Sequence, residues 1–176
     1  MPTLSTTLLY STLESPIGEL LLLGDGHAVH GLYMQAGRKP IAIASAWEHE
    51  PEAFADLAGQ LNEYFAGARR SFDVSLQMRG TPFQRRVWDE LREIPYGETI
   101  SYGELARRIG SPSAFRAVGL ANGCNPVGVI VPCHRVIGAN GTLTGYGGGI
   151  ERKRLLLDLE TRVSAPQLSL AGARLG

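Results

Sequence analysis

Cysteine is scarce in this 176-residue chain: Cys124 and Cys133 are the only two, too few for a disulfide framework. They sit close together around Gly123, Asn125 and a short apolar run, so no bridge between them is expected, and a reducing compartment would keep both as thiols. Two cysteines beside a single histidine lack metal-ligand spacing, so neither metal nor cofactor is expected. Long hydrophobic runs are missing too. Stretches such as Leu20–Leu23 fall far short of the ~20 apolar residues a membrane-spanning helix needs. The chain does not open on a basic segment followed by an apolar one, so we expect no secretory signal and no membrane partner, and a cytoplasmic location. The glycine-dense Thr144-Gly-Tyr-Gly-Gly-Gly149 lacks the Lys-Ser/Thr of a nucleotide-phosphate loop and reads as a flexible or closely approached loop.

Net charge is absent as well, with 17 Lys+Arg against 17 Asp+Glu. The zero hides an asymmetry. Residues 1–80 carry five basic against nine acidic residues, and residues 81–176 carry twelve against eight, so the halves are −4 and +4. Such a division permits a local phosphate-contacting face without a basic protein overall, and equally a solvated charged surface.

The first half reads as a three-stranded antiparallel sheet followed by a helix. Leu8–Leu13, Glu19–Leu23 and Ala28–Met34 are strand candidates, separated by Ser15-Pro-Ile-Gly18 and Gly24-Asp-Gly26. Pro51 opens a helix in which Phe54, Leu57, Ala58, Leu61, Tyr64 and Phe65 recur at helical spacing until Gly67. Phe72–Met78 alternates as a half-buried strand does.

The second half is helical. Thr81-Pro-Phe-Gln84 supplies an N-cap, a first-turn proline and a capping-box glutamine, and Phe83, Val87, Trp88 and Leu91 line one face of the helix. Ser101-Tyr-Gly-Glu104 reads as a second capping box, opening a helix through Ile109. After Gly110-Ser-Pro112 another helix runs from about Ser113 to Asn122. The pair fits a helix-turn-helix, a pattern shared with helical hairpins that never touch DNA. A last helix spans Ile150–Glu160, and the Ser/Ala/Leu/Gly sequence beyond Thr161 reads as a flexible tail. Domains are therefore expected at 1–80 and 81–160, with a tail at 161–176.

Residues 132–135 read Pro-Cys-His-Arg and follow the apolar run Val127–Val131, expected to be a buried strand. A free thiol with a pKa of about 8.5 is mostly protonated at neutral pH, so an imidazole that takes its proton changes its reactivity. Taken alone, Cys133-His134 reads first as a buried thiol beside a structural histidine.

The surrounding motifs change that. Pro-Phe-Gln84, Pro95-Tyr-Gly-Glu-Thr-Ile-Ser-Tyr102, Arg116-Ala-Val-Gly119, Asn125-Pro126, Pro132-Cys-His-Arg-Val-Ile137 and Tyr146-Gly-Gly-Gly149 together resemble the O6-alkylguanine-DNA alkyltransferases. The order and spacing match over the whole C-terminal half, and the N-terminal half is similar to that family's less constrained sheet domain. The resemblance implies an α+β fold with a ribonuclease H-like sheet domain and a winged-helix-like domain carrying the helix-turn-helix. It implies irreversible, single-use transfer of an alkyl group from guanine O6 (and from thymine O4) to Cys133. His134 is the implied base, Glu160 its orienting partner, and Asn125 the tie between the DNA-binding helix and the reactive segment. Tyr102 is implied in turning the phosphate and in donating to guanine N3.

Guanine O6 inside a duplex is out of reach of a buried thiol, so the nucleotide must flip out of the stack. By resemblance, Arg116 takes the place of the flipped base. Double-stranded DNA is met through the minor groove, where Ala117, Gly119, Ala121 and Gly123 let the helix lie close. Pro132, Val136, Tyr146 and Gly147 are the expected alkyl-pocket lining. No obligate protein partner is implied, and a monomer is expected, with cooperative binding along DNA left open. Without the family, Glu160 reads as an exposed helix carboxylate, Arg116 as a surface residue, Tyr102 as packing and Asn125 as a helix cap. Phe115 departs from the family, which more often has a small residue beside the finger, and Gly123-Cys124 stand where relatives carry polar or basic residues. A lesion binder without transfer, a Cys-His hydrolase and a helix-turn-helix regulator are the competing classes.

Overall fold

In the computed structural model, which describes residues 7–166, strands β1 (Leu9–Leu13), β2 (Leu20–Gly24) and β3 (Val29–Met34) form an antiparallel meander. Strand β2, four leucines followed by Gly24, is an inner strand and buried along its whole length, as a continuous apolar run requires. A fourth strand not anticipated from sequence, β4 (Glu48–His49), pairs parallel with β1 and makes the order β3-β2-β1-β4. Both its residues are exposed, so it has no apolar pattern to betray it.

Pro51–Phe54 forms a 3-10 turn that leads into α1 (Ala55–Phe65). Leu57, Gln60, Leu61 and Tyr64 fall at helical spacing on its buried face. The helix ends where Gly67 takes φ +77°, a conformation that L side chains rarely adopt. The Phe72–Met78 segment alternates in burial as expected, but only Leu76 bridges to Val29 and no strand forms. The Gln60 side chain anchors it instead, bonding Asp73 N at 2.8 Å and Asp73 O at 3.0 Å.

Helix α2 (Pro82–Arg92) carries the complete Thr81–Gln84 capping box. Its buried face of Val87, Trp88 and Leu91 packs on α4 (Phe115–Gly123), and Trp88 Nε1 donates to Ala121 O at 2.8 Å. Between them, β5 (Ile100–Ser101) leads into α3 (Tyr102–Arg108). Ser101 caps α3, but the Glu104 carboxylate does not close the box, since it is drawn to Arg107 and Arg108. The link from α3 to α4 runs from Ile109 to Ala114 and contains Gly110 at φ +74°.

The largest difference from expectation lies at Val127–Val131, which is not a strand. Only Val127 bridges, to Leu32, and the chain then folds into consecutive tight turns. Ile130 N donates to Gly128 O at 2.8 Å around Val129, which stands at φ +68°. Such a turn around a β-branched residue stores on the order of 1–3 kcal/mol of strain. The run is apolar because it is buried, and burial alone does not dictate an extended chain. A 3-10 turn, Cys133–Arg135, follows, then β6 (Val136–Ile137), which pairs parallel with β5.

The final helix α5 (Ile150–Ser164) runs past the Thr161 expected to begin the tail. The rest of that expected tail, from 167, lies outside the described residues. One continuous apolar core includes Leu20, Leu22 and Leu32 from the sheet and Trp88, Leu105 and Leu156 from the helices. Leu32 N donates to Pro126 O at 2.9 Å and Gly128 N to Leu32 O at 3.2 Å, so β3 holds the loop that carries Cys133.

Candidate active site

Cys133 is the first residue of the 3-10 turn and is buried, with its carbonyl held by Asn122 Nδ2 at 3.4 Å. The tight turns before it bring the peptide round to the wall of a cavity of about 210 Å³. Asn125 spans those turns. Its Nδ2 donates to Val131 O at 2.8 Å while its Oδ1 accepts from Val127 N at 2.9 Å. One side chain thus clips the exit of α4 to the segment entering Cys133.

His134 turns the other way, into the core, and is fully buried. Its Nε2 lies 2.7 Å from Glu160 Oε1 on α5. Glu160 is 1% exposed, not the exposed carboxylate that the bare sequence favours. It also accepts from Arg135 Nε and Nη2, each at 2.9 Å, from Tyr64 Oη at 2.7 Å and from Gly97 N at 3.2 Å. Burial pushes the Glu160 carboxyl up, but the His134 and Arg135 hydrogen bonds outweigh it and hold the group well below the usual carboxylate range. Burial likewise pushes the His134 imidazole down, against the pull of Glu160. A neutral ring donating Nε2–H to an ionised Glu160 satisfies both tendencies. That tautomer leaves Nδ1 as a basic lone pair, and Nδ1 is buried with no hydrogen-bond partner among the described residues.

Burial raises the Cys133 thiol above its ordinary value, while Asn125 and the charge of Lys153 act to lower it. Lys153 is fully buried, its ammonium donating to Val136 O and, at 3.0 Å, to Thr144 O. It lies 5.9 Å from the Tyr102 ring centroid. The Tyr102 hydroxyl donates to the same Thr144 carbonyl at 3.1 Å. Tyr102, Lys153 and the 142–146 loop are therefore joined through one oxygen.

The cavity beside Cys133 is lined by Tyr146, Gly147, Gly148, Asn122 and Asn125, and from the N-terminal half by Met34, Lys39 and Ile41. A Cβ on Gly148 would lie 2.2 Å from Met34 Sδ, so any larger residue there would have to displace the Met34 side chain that closes the loop against β3. Tyr146 and Gly147, two of the four residues expected to line an alkyl pocket, line this cavity. Pro132 and Val136 do not. Pro132 faces a separate cavity behind the loop, with Arg92 and Tyr96, and Val136 is buried in β6, its carbonyl engaged by Lys153.

On α4, Arg116 and Ala117 are exposed, Gly119 lies against the Tyr102 ring, and Gly123 meets open space. Ala121 departs from the expected DNA-facing set. It is 3% exposed and sits with Val118 and Asn122 on the face toward α2. Sequence reasoning missed Tyr64, Asn122 and Lys153. For Lys153 a signal existed: it lies three and seven residues before Leu156 and Glu160, on the buried face of α5. For Tyr64, 96 residues away from Glu160, none did.

Residues 82–162 match the family model described as "6-O-methylguanine DNA methyltransferase, DNA binding domain", and residues 8–78 match "6-O-methylguanine DNA methyltransferase, ribonuclease-like domain". The chain is 56% identical over 162 residues to the methylated-DNA–protein-cysteine methyltransferase of Mycobacterium tuberculosis, covering 92% of this chain and 97% of that protein. The Methanosarcina acetivorans protein of the same name is 53% identical over 151 residues, covering 86% and 97%. A crystal structure of Mycobacterium tuberculosis OGT in complex with DNA superposes with a TM-score of 0.83 at 56% identity, covering 90% of this chain and 96% of that one.

Proposed function

The chain belongs to the 6-O-methylguanine DNA methyltransferase family, and from that membership we infer how its own residues carry out the reaction. The protein is a methylated-DNA–protein-cysteine methyltransferase that repairs DNA by direct reversal, moving the alkyl group from the lesion to a cysteine. Cys133 is that acceptor. The observation that carries the assignment is the buried chain of contacts behind it, from His134 Nε2 to Glu160 and from Glu160 to Arg135 and Tyr64.

The reaction runs as an in-line displacement. His134 Nδ1 receives the thiol proton, directly or through one bridging water, and Glu160 stabilises the imidazolium formed. The Cys133 sulfur then attacks the alkyl carbon of O6-alkylguanine, an S–C bond forms, and the O6–C bond breaks with its electron pair leaving on the purine. Tyr102 exchanges its bond to Thr144 O for one to guanine N3, which offsets the charge on the departing base, and solvent supplies its proton on release. Nothing in the site can reverse a thioether, so each molecule acts once. The Tyr146–Gly148 loop and Met34 bound the space for the alkyl group. The same displacement serves O4-alkylthymine.

The target base reaches Cys133 only by leaving the duplex. Arg116 on α4 fills the vacated stack, Tyr102 turns the phosphate, and Ala117, Gly119 and Gly123 lie along the minor groove. Residues 1–80 form the supporting sheet domain and residues from 81 the DNA-binding and transfer domain. The protein acts as a monomer, inside the cell, where its DNA substrate is.

The assignment is tested with Cys133→Ser and Cys124→Ser. The first should abolish transfer of a labelled alkyl group from duplex DNA while leaving duplex binding intact, and the second should leave transfer at the wild-type level. The reverse pattern would refute Cys133 as the acceptor.

A further inference from the structure

Four large apolar side chains are exposed among the described residues, and two of them, Phe115 (50%) and Leu120 (74%), lie on α4. Neither packs against the apolar core. Phe115 is the first residue of the helix, directly before Arg116, whose guanidinium carbon lies 5.9 Å from the Phe115 ring centroid. That distance is within the range of a cation–π contact. Leu120 follows Arg116 by one helical turn, with Gly119 directly before it and Gly123 three residues after it, neither adding a side chain to that surface.

Resting on the reading that Arg116 holds the place of the flipped nucleotide, we propose that Phe115 is the second half of the wedge. In the free protein its ring supports the Arg116 guanidinium and so limits the conformations the finger must give up on insertion. In the complex the ring enters the minor-groove base step beside the vacated position and stacks on the neighbouring base. Proteins that kink DNA from the minor groove use apolar side chains in this way. Stacking on an aromatic ring tolerates any base, which suits a repair protein that must open DNA of arbitrary sequence. The alternative occupant, a second copy of this chain, is disfavoured by size: one ring and one leucine fall well short of the roughly 1,200 Å² that a stable interface buries. Phe115 is thus a positioning residue for base flipping and takes no part in the chemistry at sulfur.

The test compares wild type, Phe115→Ala and Phe115→Trp with an O6-methylguanine duplex and with free O6-benzylguanine, together with thermal unfolding of each unreacted protein. Phe115→Ala should slow duplex repair by about tenfold or more, the scale of stacking one base on an aromatic ring. Its free-base rate and unfolding midpoint should match wild type, and Phe115→Trp should keep most of the duplex rate. A 2-aminopurine placed next to the lesion should be quenched on binding by wild type and by Phe115→Trp, but not by Phe115→Ala. An unchanged duplex rate, or equal losses on both substrates, would overturn the proposal. Failure of the wild-type protein to react with either substrate would overturn the reading beneath it as well.

Discussion

His134 and Glu160, 26 residues apart in sequence, stand 2.7 Å apart as a buried pair, and Arg135, directly after His134, grips the same carboxylate through two nitrogens. The Pro-Cys-His-Arg segment and α5 are therefore clamped together directly behind Cys133. On the proposed mechanism the pair contributes to both rate and fold.

Glu160→Gln should separate the two contributions. Removing the carboxylate leaves Arg135 buried without its counter-charge, at a cost of about 3–5 kcal/mol. Transfer to the variant at a temperature where it stays folded should be about 10²-fold slower, the low end for a general base whose support is lost. Denaturant unfolding and single-turnover kinetics on free O6-benzylguanine measure the two effects. A variant with wild-type rate would show that Glu160 only braces the fold.

Lys153→Met tests the buried ammonium that donates to Val136 O and Thr144 O. Loss of its charge removes one influence that lowers the Cys133 thiol, so the thiolate fraction falls at neutral pH. We expect transfer to free O6-benzylguanine to slow by about tenfold at pH 7, a rise of about 1.4 kcal/mol in the barrier. The deficit should shrink as pH rises and the thiol ionises without help. A deficit independent of pH would assign Lys153 to loop packing alone.

Stability should fall on acidification in two stages. The folded His134 imidazole titrates below its unfolded value of about 6.5, so the unfolded chain takes up the proton first and stability is lost as pH drops below that point. The folded Glu160 carboxyl titrates below its unfolded value of about 4.3, so its contribution is complete above that pH and is lost as pH falls through the folded value. At the other end, burial raises the folded Cys133 thiol, so its contribution is present below about pH 8.5 and declines above it. Unfolding midpoints measured from pH 4 to 10 should form a plateau near neutrality with both limbs descending. A midpoint that rises toward pH 5 would contradict the neutral-imidazole assignment.

Much of this site was legible in the chain itself, because its chemistry is concentrated in Pro132-Cys-His-Arg135 and in a glycine-rich loop whose spacing carries information. The helices were legible for the same local reasons: Thr81 and Gln84 form their capping box, and Gly67 stops α1. The Val127–Val131 segment misled because buried valines look alike in a strand and in a γ-turn; what folds it is the Asn125 clip and its pairing with Leu32. Tyr64 and Arg135 meet at Glu160 only through tertiary packing. Ala121 shows the converse, a small residue that suits DNA contact by type yet faces α2 by helical phase.

Alkylation should destabilise the protein. The alkyl group enters the cavity that Cys133 lines, and wherever it must displace Asn122, Asn125 or Tyr146 from that wall the strain costs about 1–3 kcal/mol. Because Asn122 lies on α4 and Asn125 follows it, the strain should pass to the DNA-binding helix and favour release of repaired DNA. Thermal unfolding should show a lower midpoint after methylation and a further drop after benzylation. Unchanged or higher midpoints for both products would defeat this idea.

The most direct test of the whole account is intact mass of the protein after incubation with a duplex containing one O6-methylguanine, followed by peptide mapping. We predict a gain of one methylene mass per molecule, carried entirely by the peptide containing Cys133, with repaired duplex formed in equal amount and no further repair on adding fresh substrate. Unmodified protein beside repaired DNA, a methyl group mapped to Cys124, or repair exceeding one duplex per protein molecule would contradict it.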